Sequence, residues 1–170
     1  GIIPLIALQV HAYEVDGRVT LIFTKVLDEM TLGLVDDDED AEAAPTDRAY
    51  WENKSSKASV QLADDLLTML QDFEQSLELK FNKFYIGLSL DGSPFNFVQF
   101  RPLKSQIRLE LKLPKSDETD QFVEDEGLEA LDYAPRWGLY RLRLTKKEIS
   151  QKSDALKKLM RDAYDRRKAQ

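Results

Sequence analysis

Apolar and polar residues alternate without a break from Gln106 to Leu113, and this pattern constrains the fold more than any other segment of the chain. Ile107 and the next three odd-numbered residues are apolar, whereas Arg108 and the other even-numbered residues are polar or charged. A period of two residues places successive side chains on opposite faces of a β-strand. The segment therefore predicts a strand of an antiparallel sheet that has one buried face and one face in water.

Three further segments predict strands of the same sheet. Residues 84–90 and 95–101 flank a turn at residues 91–94, so together with residues 106–113 they predict a three-stranded meander. Residues 139–144 repeat the alternation and predict a fourth strand.

The predicted helices begin at residues that are typical helix caps. Thr46 or Asp47 can begin a short helix, and Ser55 or Ser56 can begin a longer one that ends near Gln75. Its apolar residues recur at three- to four-residue spacing, which lines one helical face.

The second half of the chain predicts two more helices. Residues 120–131 form a short one that Gly127 weakens or splits. Thr145 begins the last helix, and Glu148, three residues later, completes a capping box. These elements predict an α+β fold: an antiparallel four-stranded sheet covered on one side by helices, with an N-terminal β-hairpin.

The hairpin and an acidic segment precede this domain. Residues 5–15 and 18–27 are rich in strand-forming residues, and Asp16 and Gly17 between them form a favoured two-residue turn, so residues 1–30 contain the hairpin. Six of the seven residues from 36 to 42 are acidic, which predicts a solvated linker over residues 31–46. Residues 47–170 then form the α+β domain. Because the chain begins with Gly1 instead of Met, we expect a fragment, and the hairpin is a candidate for the end of a preceding domain.

Composition excludes several kinds of catalytic site. The chain has no Cys and one His, so it lacks a thiol nucleophile, a cysteine-ligated zinc and a multi-histidine metal site. No phosphate-binding glycine motif is present. Glu110 and Lys112 have the Glu-x-Lys spacing with which restriction-type nucleases hold Mg²⁺, but any charged strand can produce it by chance. We therefore assign no catalytic residue, no metal ligand and no cofactor, and we expect no enzymatic activity in this fragment.

The sequence also lacks features of membrane insertion or export. No apolar run approaches the roughly 18 to 20 residues of a membrane span. Residues 1–10 lack the charged region and the cleavage site of a signal peptide. We expect a cytoplasmic protein without a membrane partner.

Basic residues concentrate in the second half of the chain, although the formal net charge is -7. Residues 1–77 carry 5 basic and 16 acidic side chains, and residues 78–170 carry 19 and 15. If the alternation holds, the wet face of the sheet presents basic and aromatic side chains that can neutralise phosphates and stack on bases. The candidate nucleic-acid-binding residues are Tyr85, Arg101, Arg108, Lys112, Arg141 and Arg143. The alternative is a solvated basic face, or one that Tyr50, Trp51 and the hairpin cover.

Short motifs occur in a fixed order between residues 62 and 164. They are Asn-Lys-Phe-Tyr-Ile-Gly at 82–87, Asn-Phe-Val at 96–98 with Arg101 and Pro102, Leu-Glu-Leu-Lys-Leu at 109–113, and Gly-Leu-Tyr at 138–140 with Leu142. This series resembles an uncharacterised bacterial family of C-terminal domains that often follow a restriction-endonuclease-like domain; some members were once described as predicted transport proteins. The resemblance implies an α+β domain of unknown function and an N-terminal nuclease-like domain as partner, to which any nuclease activity would belong.

Two main functional hypotheses follow. The first is a non-catalytic accessory module that binds DNA or RNA, or engages a target, for a restriction-endonuclease-like protein. The alternative is a protein-interaction or dimerisation module in which the hairpin, Trp51 and the sheet contact a second copy or an N-terminal nuclease-like domain. A small-molecule enzyme stays open as a third class.

Overall fold

A computed structural model describes residues 6–15, 18–28 and 46–169 of the chain. Two compact units are present, Gly1–Ala43 and Ala44–Gln170. In the first unit, β1 (Ile6–Val15) and β2 (Arg18–Asp28) pair in antiparallel orientation. The turn predicted at residues 16–17 and nearly all of the predicted acidic linker lie outside the described residues.

The second unit is built on an antiparallel sheet of seven strands. The strands are β3 (Leu77–Phe81), β4 (Ile86–Leu90), β5 (Ser93–Pro94), β6 (Val98–Pro102), β7 (Ile107–Lys112), β8 (Ala130–Ala134) and β9 (Leu139–Leu144). Their order across the sheet is β3-β4-β6-β7-β9-β8, and β5 pairs with β4. The predicted class, an α+β fold with an antiparallel sheet, is confirmed, whereas the predicted number of four strands is wrong.

Five helices are described in this unit. They are α1 (Arg48–Lys54), α2 (Lys57–Gln71), α3 (Asp117–Asp125), α4 (Lys146–Gln151) and α5 (Ser153–Lys168). Asp47 caps α1 and Ser56 caps α2, and both hydrogen bonds of the capping box between Thr145 and Glu148 are present at α4. The predicted last helix is interrupted at Lys152, where α4 ends and α5 begins. None of the described helices is both long and apolar enough to cross a membrane.

Two of the unpredicted strands occupy segments that were interpreted differently. β3 has the alternating sequence Leu-Glu-Leu-Lys-Phe directly after the segment assigned to the second helix, which in fact ends at Gln71. β8 lies partly within the segment predicted as the 120–131 helix. That helix ends at Asp125, and Gly127, with φ of +61°, allows the chain to turn towards β8.

One face of the sheet forms the hydrophobic core with the helices. Phe100, Leu109 and Leu142 lie opposite one another on β6, β7 and β9 and are fully buried. Helices α2, α4 and α5 contact these strands. Phe97 belongs to this side, because its ring centroid lies 5.4 Å from that of Tyr164 on α5. The opposite face therefore carries the polar residues of the alternating strands.

Candidate nucleic-acid interface

The polar face of the sheet carries a row of three arginines. Arg101 on β6 lies opposite Arg108 on β7, and Arg108 lies opposite Arg143 on β9. Residues directly opposite in an antiparallel sheet have their Cβ atoms about 4.5 to 5.5 Å apart on the same face. Three guanidinium-bearing side chains thus leave three adjacent strands side by side, and we call this set the arginine row.

A buried carboxylate lies next to the arginine row. The Glu110 side chain is only 3% exposed. Its Oε2 lies 3.0 Å from Arg101 Nε and its Oε1 lies 3.0 Å from Arg108 Nε. Glu110 therefore acts as the internal counter-charge of the row, and it is not accessible as a Mg²⁺ ligand in the Glu-x-Lys pattern.

Arg108 is the most constrained member of the row. Its Nε is buried and, despite its short distance to Glu110, makes no hydrogen bond of acceptable geometry with any described residue. Burial lowers the pKa of Arg108, the charge of Glu110 opposes this effect, and the charges of Arg101, Arg141 and Arg143 lower the pKa further. Glu110 thus contacts two of these four arginines, and positive charge remains in excess on this face.

The two arginines of β9 also contact the edge strand β8 and Glu129, the residue that precedes β8. Arg141 donates two hydrogen bonds to the Asp132 carbonyl, and Arg143 Nη1 lies 2.8 Å from Glu129 Oε1. The Arg143 and Glu129 side chains are 40% and 48% exposed, so water screens this pair and a ligand can replace it at little cost. Lys112, on the same face of β7, is exposed and forms no ion pair with a described residue.

Tyr85 lies at one end of the arginine row. The Arg101 guanidinium carbon is 5.9 Å from the centre of the Tyr85 ring. A Cβ atom on Gly87 would lie 3.1 Å from the same ring, which places Tyr85 over the backbone of β4. The six residues predicted from the sequence therefore lie on or beside one face, with Tyr85 at the β4 end.

Phe84 is a further aromatic residue at this end of the row. The predicted strand over residues 84–90 included it, but β4 begins at Ile86 and Phe84 is 41% exposed. Arg101 Nη1 donates to the Phe84 carbonyl at 2.8 Å. The sequence carried no signal for the later start, because the apolar alternation of this segment already begins at Phe84.

Carboxylates elsewhere in the described residues do not form a metal site. Asp64, one of the acidic residues on α2, accepts hydrogen bonds from both terminal nitrogens of Arg48 at 3.0 and 2.5 Å. Within the described parts of the chain, no group of three or more His, Asp or Glu residues is arranged to hold a metal ion.

Comparison of the chain with protein-family models, curated proteins and solved structures gave no match.

Proposed function

We propose that residues 44–170 bind single-stranded nucleic acid through the polar face of the sheet, as a non-catalytic accessory module of a restriction-endonuclease-like protein. The observation that supports this proposal is the arginine row with its single buried counter-charge. Like charges directly opposite each other destabilise a sheet. A phosphate on this face would add negative charge where four arginines are close together, and it could replace the exposed partner of Arg143.

The aromatic end of the row favours a single strand over a duplex. Tyr85 and the exposed Phe84 lie next to Arg101. Unpaired bases can stack on such side chains while the basic residues follow the backbone, and each stacked base contributes roughly 1 to 3 kcal/mol. Bases inside a duplex are not available for this contact. The part of the proposal that links this module to a nuclease rests on the sequence resemblance alone.

The acidity of the whole chain does not oppose this proposal. Residues 44–170 carry 22 basic and 21 acidic side chains, whereas residues 1–43 carry 2 and 10. The unit that contains the arginine row is therefore almost neutral, and the local field at the row decides whether phosphates bind there.

Partner binding or dimerisation is a second candidate. Phe84 and Leu103 are large apolar residues that are each 41% exposed, and β3 and β8 form the two edges of the sheet. Exposed apolar side chains and unpaired strand edges are features of protein interfaces. Trp51, which this hypothesis had assigned to the contact, is 2% exposed and donates its Nε1 hydrogen to the Asn82 carbonyl, so it belongs to the core.

The test is fluorescence anisotropy of labelled single- and double-stranded oligonucleotides over a salt series, with an Arg141→Ala/Arg143→Ala variant. This variant leaves both ion-pair partners of Glu110 in place, so the core of the cluster is retained. The matched control is Lys146→Ala/Lys147→Ala, which removes the same charge from exposed positions of α4.

We expect the protein to bind single strands with a slope of log K against log salt of about -2, as three neutralised phosphates would produce. The β9 variant should bind weakly and the α4 control should bind like the original protein. Absence of binding at low salt, or equal loss in both variants, contradicts the proposal. Concentration-dependent mass in sedimentation would then favour the second candidate.

A further inference from the structure

A pocket of about 310 Å³ lies where the end of β7, the turn between β8 and β9, and the last turns of α5 meet. Two aromatic residues, Tyr133 and Trp137, and three cationic residues, Lys112, Arg166 and Arg167, contribute to its lining. None of its described lining residues is acidic. The lining therefore combines aromatic rings with positive charge.

The cations of the pocket differ from the other basic residues of α5. Four other basic residues of that helix each form an ion pair: Lys157 with Asp72, Lys158 with Asp162, Arg161 with Asp165 and Lys168 with Glu74.

Arg166 and Arg167 form no such pair within the described residues, and neither does Lys112. Cations in the last turn of a helix interact favourably with its dipole. That effect explains why basic residues occur in this turn, but it does not explain why two neighbouring arginines lack an ion pair beside a cavity that the end of β7 also lines.

The aromatic side of the pocket is held in place by the turn between β8 and β9. The Tyr133 hydroxyl donates to the Leu113 carbonyl at 3.0 Å, which fixes the direction of the ring. Gly138, with φ of +65°, lets the chain turn directly after Trp137, and a Cβ atom there would contact the Tyr133 hydroxyl at 3.8 Å. The Tyr133 ring is thus held in place without a ligand.

We propose that this pocket binds a phosphorylated planar heterocycle, either a free nucleoside monophosphate or the phosphorylated terminal nucleotide of a strand. The ring would lie against Trp137 and Tyr133, and the phosphate would contact Arg166 and Arg167. The cavity is at the small end of the range for ligand pockets, which suits one nucleotide. This inference goes beyond the proposed function, because the ligand is a single nucleotide and Lys112 is the only residue that the two sites share.

The experiment is a titration of the full chain with adenosine 5′-monophosphate, adenosine and inorganic phosphate, followed by tryptophan fluorescence. The chain has two tryptophans, and Trp51 is buried and hydrogen-bonded, so a change reports Trp137. The pocket variant is Arg166→Ala/Arg167→Ala. The matched control is Lys157→Ala/Lys158→Ala, which removes the same charge from α5 at positions that do not line the pocket.

We expect the monophosphate to bind at least tenfold more tightly than adenosine or phosphate, and the pocket variant to lose at least tenfold in affinity while the control loses none. A monophosphate that does not bind, that binds no better than phosphate, or that binds the pocket variant equally well overturns the proposal. The Arg141→Ala/Arg143→Ala variant should retain monophosphate binding, because neither residue lines the pocket. Binding of the monophosphate to the pocket can thus be tested independently of strand binding to the polar face of the sheet.

Oligonucleotides with and without a 5′-phosphate distinguish the two sources of the ligand. Tighter binding of the phosphorylated strand, lost in the pocket variant, assigns the pocket to a strand terminus. Equal binding of the two strands, with retained monophosphate binding, assigns it to the free nucleotide.

Discussion

Arg108 on β7 and Arg143 on β9 lie directly opposite each other, so two positive charges occupy one cross-strand position of the sheet. Glu110, two residues along β7, lies next to this position and is opposite Arg141 in the same register. The carboxylate compensates part of the repulsion from within the sheet, since its side chain is almost completely buried. The positive charge that remains faces away from the helices, where a ligand can reach it.

Replacement of Glu110 by Gln should destabilise the fold. Arg101 and Arg108 would lose the buried carboxylate that lies 3.0 Å from each of them. We expect the free energy of unfolding to fall by about 2 to 4 kcal/mol, less than for a fully buried pair because both arginines are about one-third exposed. Urea unfolding measures this change.

Glu129→Gln is the matched control for that prediction. Glu129 pairs with Arg143 at the exposed edge of the sheet, and the loss should be below about 0.5 kcal/mol. If the two variants lose similar stability, Glu110 is not the internal counter-charge of the cluster.

Gly87→Ala should also destabilise the protein, because β4 has no room for a side chain at this position. A Cβ atom on Gly87 would lie well inside van der Waals contact with Asn96 Oδ1, which accepts the Leu88 N–H at 2.8 Å. We expect a loss of about 1 to 3 kcal/mol from this crowding.

A double-mutant cycle tests the stated cause. In an Asn96→Ala background the crowding atom is absent, so Gly87→Ala should cost less than in the original protein, with a coupling of about 0.5 to 3 kcal/mol. Additive losses would show that the Asn96 amide is not the obstacle.

Tyr164→Phe should raise the pKa of Glu74. The buried Tyr164 hydroxyl donates to Glu74 Oε2 at 2.6 Å, and this hydrogen bond is the main cause that holds the pKa of Glu74 below its ordinary value. An NMR titration of the carboxyl group measures the change.

Lys168, whose Nζ lies 3.7 Å from the same carboxylate, makes a smaller contribution, so Lys168→Ala should raise the pKa of Glu74 less. A larger effect of Lys168→Ala contradicts this order.

Features that depend on a few neighbouring residues could be predicted from the sequence. The alternation at residues 106–113 correctly assigned β7 and the side on which its apolar residues lie. The caps at Ser56 and Thr145 were correct because a cap involves only its own residue and the two or three that follow. Strand β8 lacks a clear alternation, and its first two residues were mistaken for the end of a helix.

The arrangement of the candidate site could be predicted only in part. Alternation placed Arg108 and Glu110 on the polar side of β7, but it could not show that Arg108 lies opposite Arg101 and Arg143, because this depends on the register of three strands. It also could not show that Glu110 is buried, since side chains from two strands produce that burial. The exposure of Phe84 depends on the residue at which β4 begins.

Acid should weaken the start of α4 through Glu148. Hydrogen bonds from the Thr145 backbone and hydroxyl lower the pKa of Glu148 in the folded protein. The ionised Glu148 carboxylate therefore stabilises the fold fully above the ordinary glutamate pKa of about 4.3. This stabilisation is lost as the pH falls through the lower pKa of the folded state. The Glu148→Gln variant should therefore lose less stability than the original protein between about pH 7 and about pH 3. Equal losses in urea unfolding at the two pH values would contradict this assignment. Thr145→Ala should cost about 1 kcal/mol at neutral pH.

Phe84 and Leu103 provide a direct comparison between the two candidate functions, because both side chains are 41% exposed and only one is aromatic. Replacement of either residue by Ala should change the free energy of unfolding by less than about 0.5 kcal/mol, as for most surface positions. If Phe84 stacks on a base, Phe84→Ala should weaken single-strand binding by about 1 to 3 kcal/mol while Leu103→Ala leaves it unchanged. Anisotropy measures both affinities under one salt condition.

The opposite outcome is that both variants leave strand binding intact and reduce self-association equally. In that case the exposed residues form an apolar contact with a second chain, and the aromatic ring of Phe84 has no separate role.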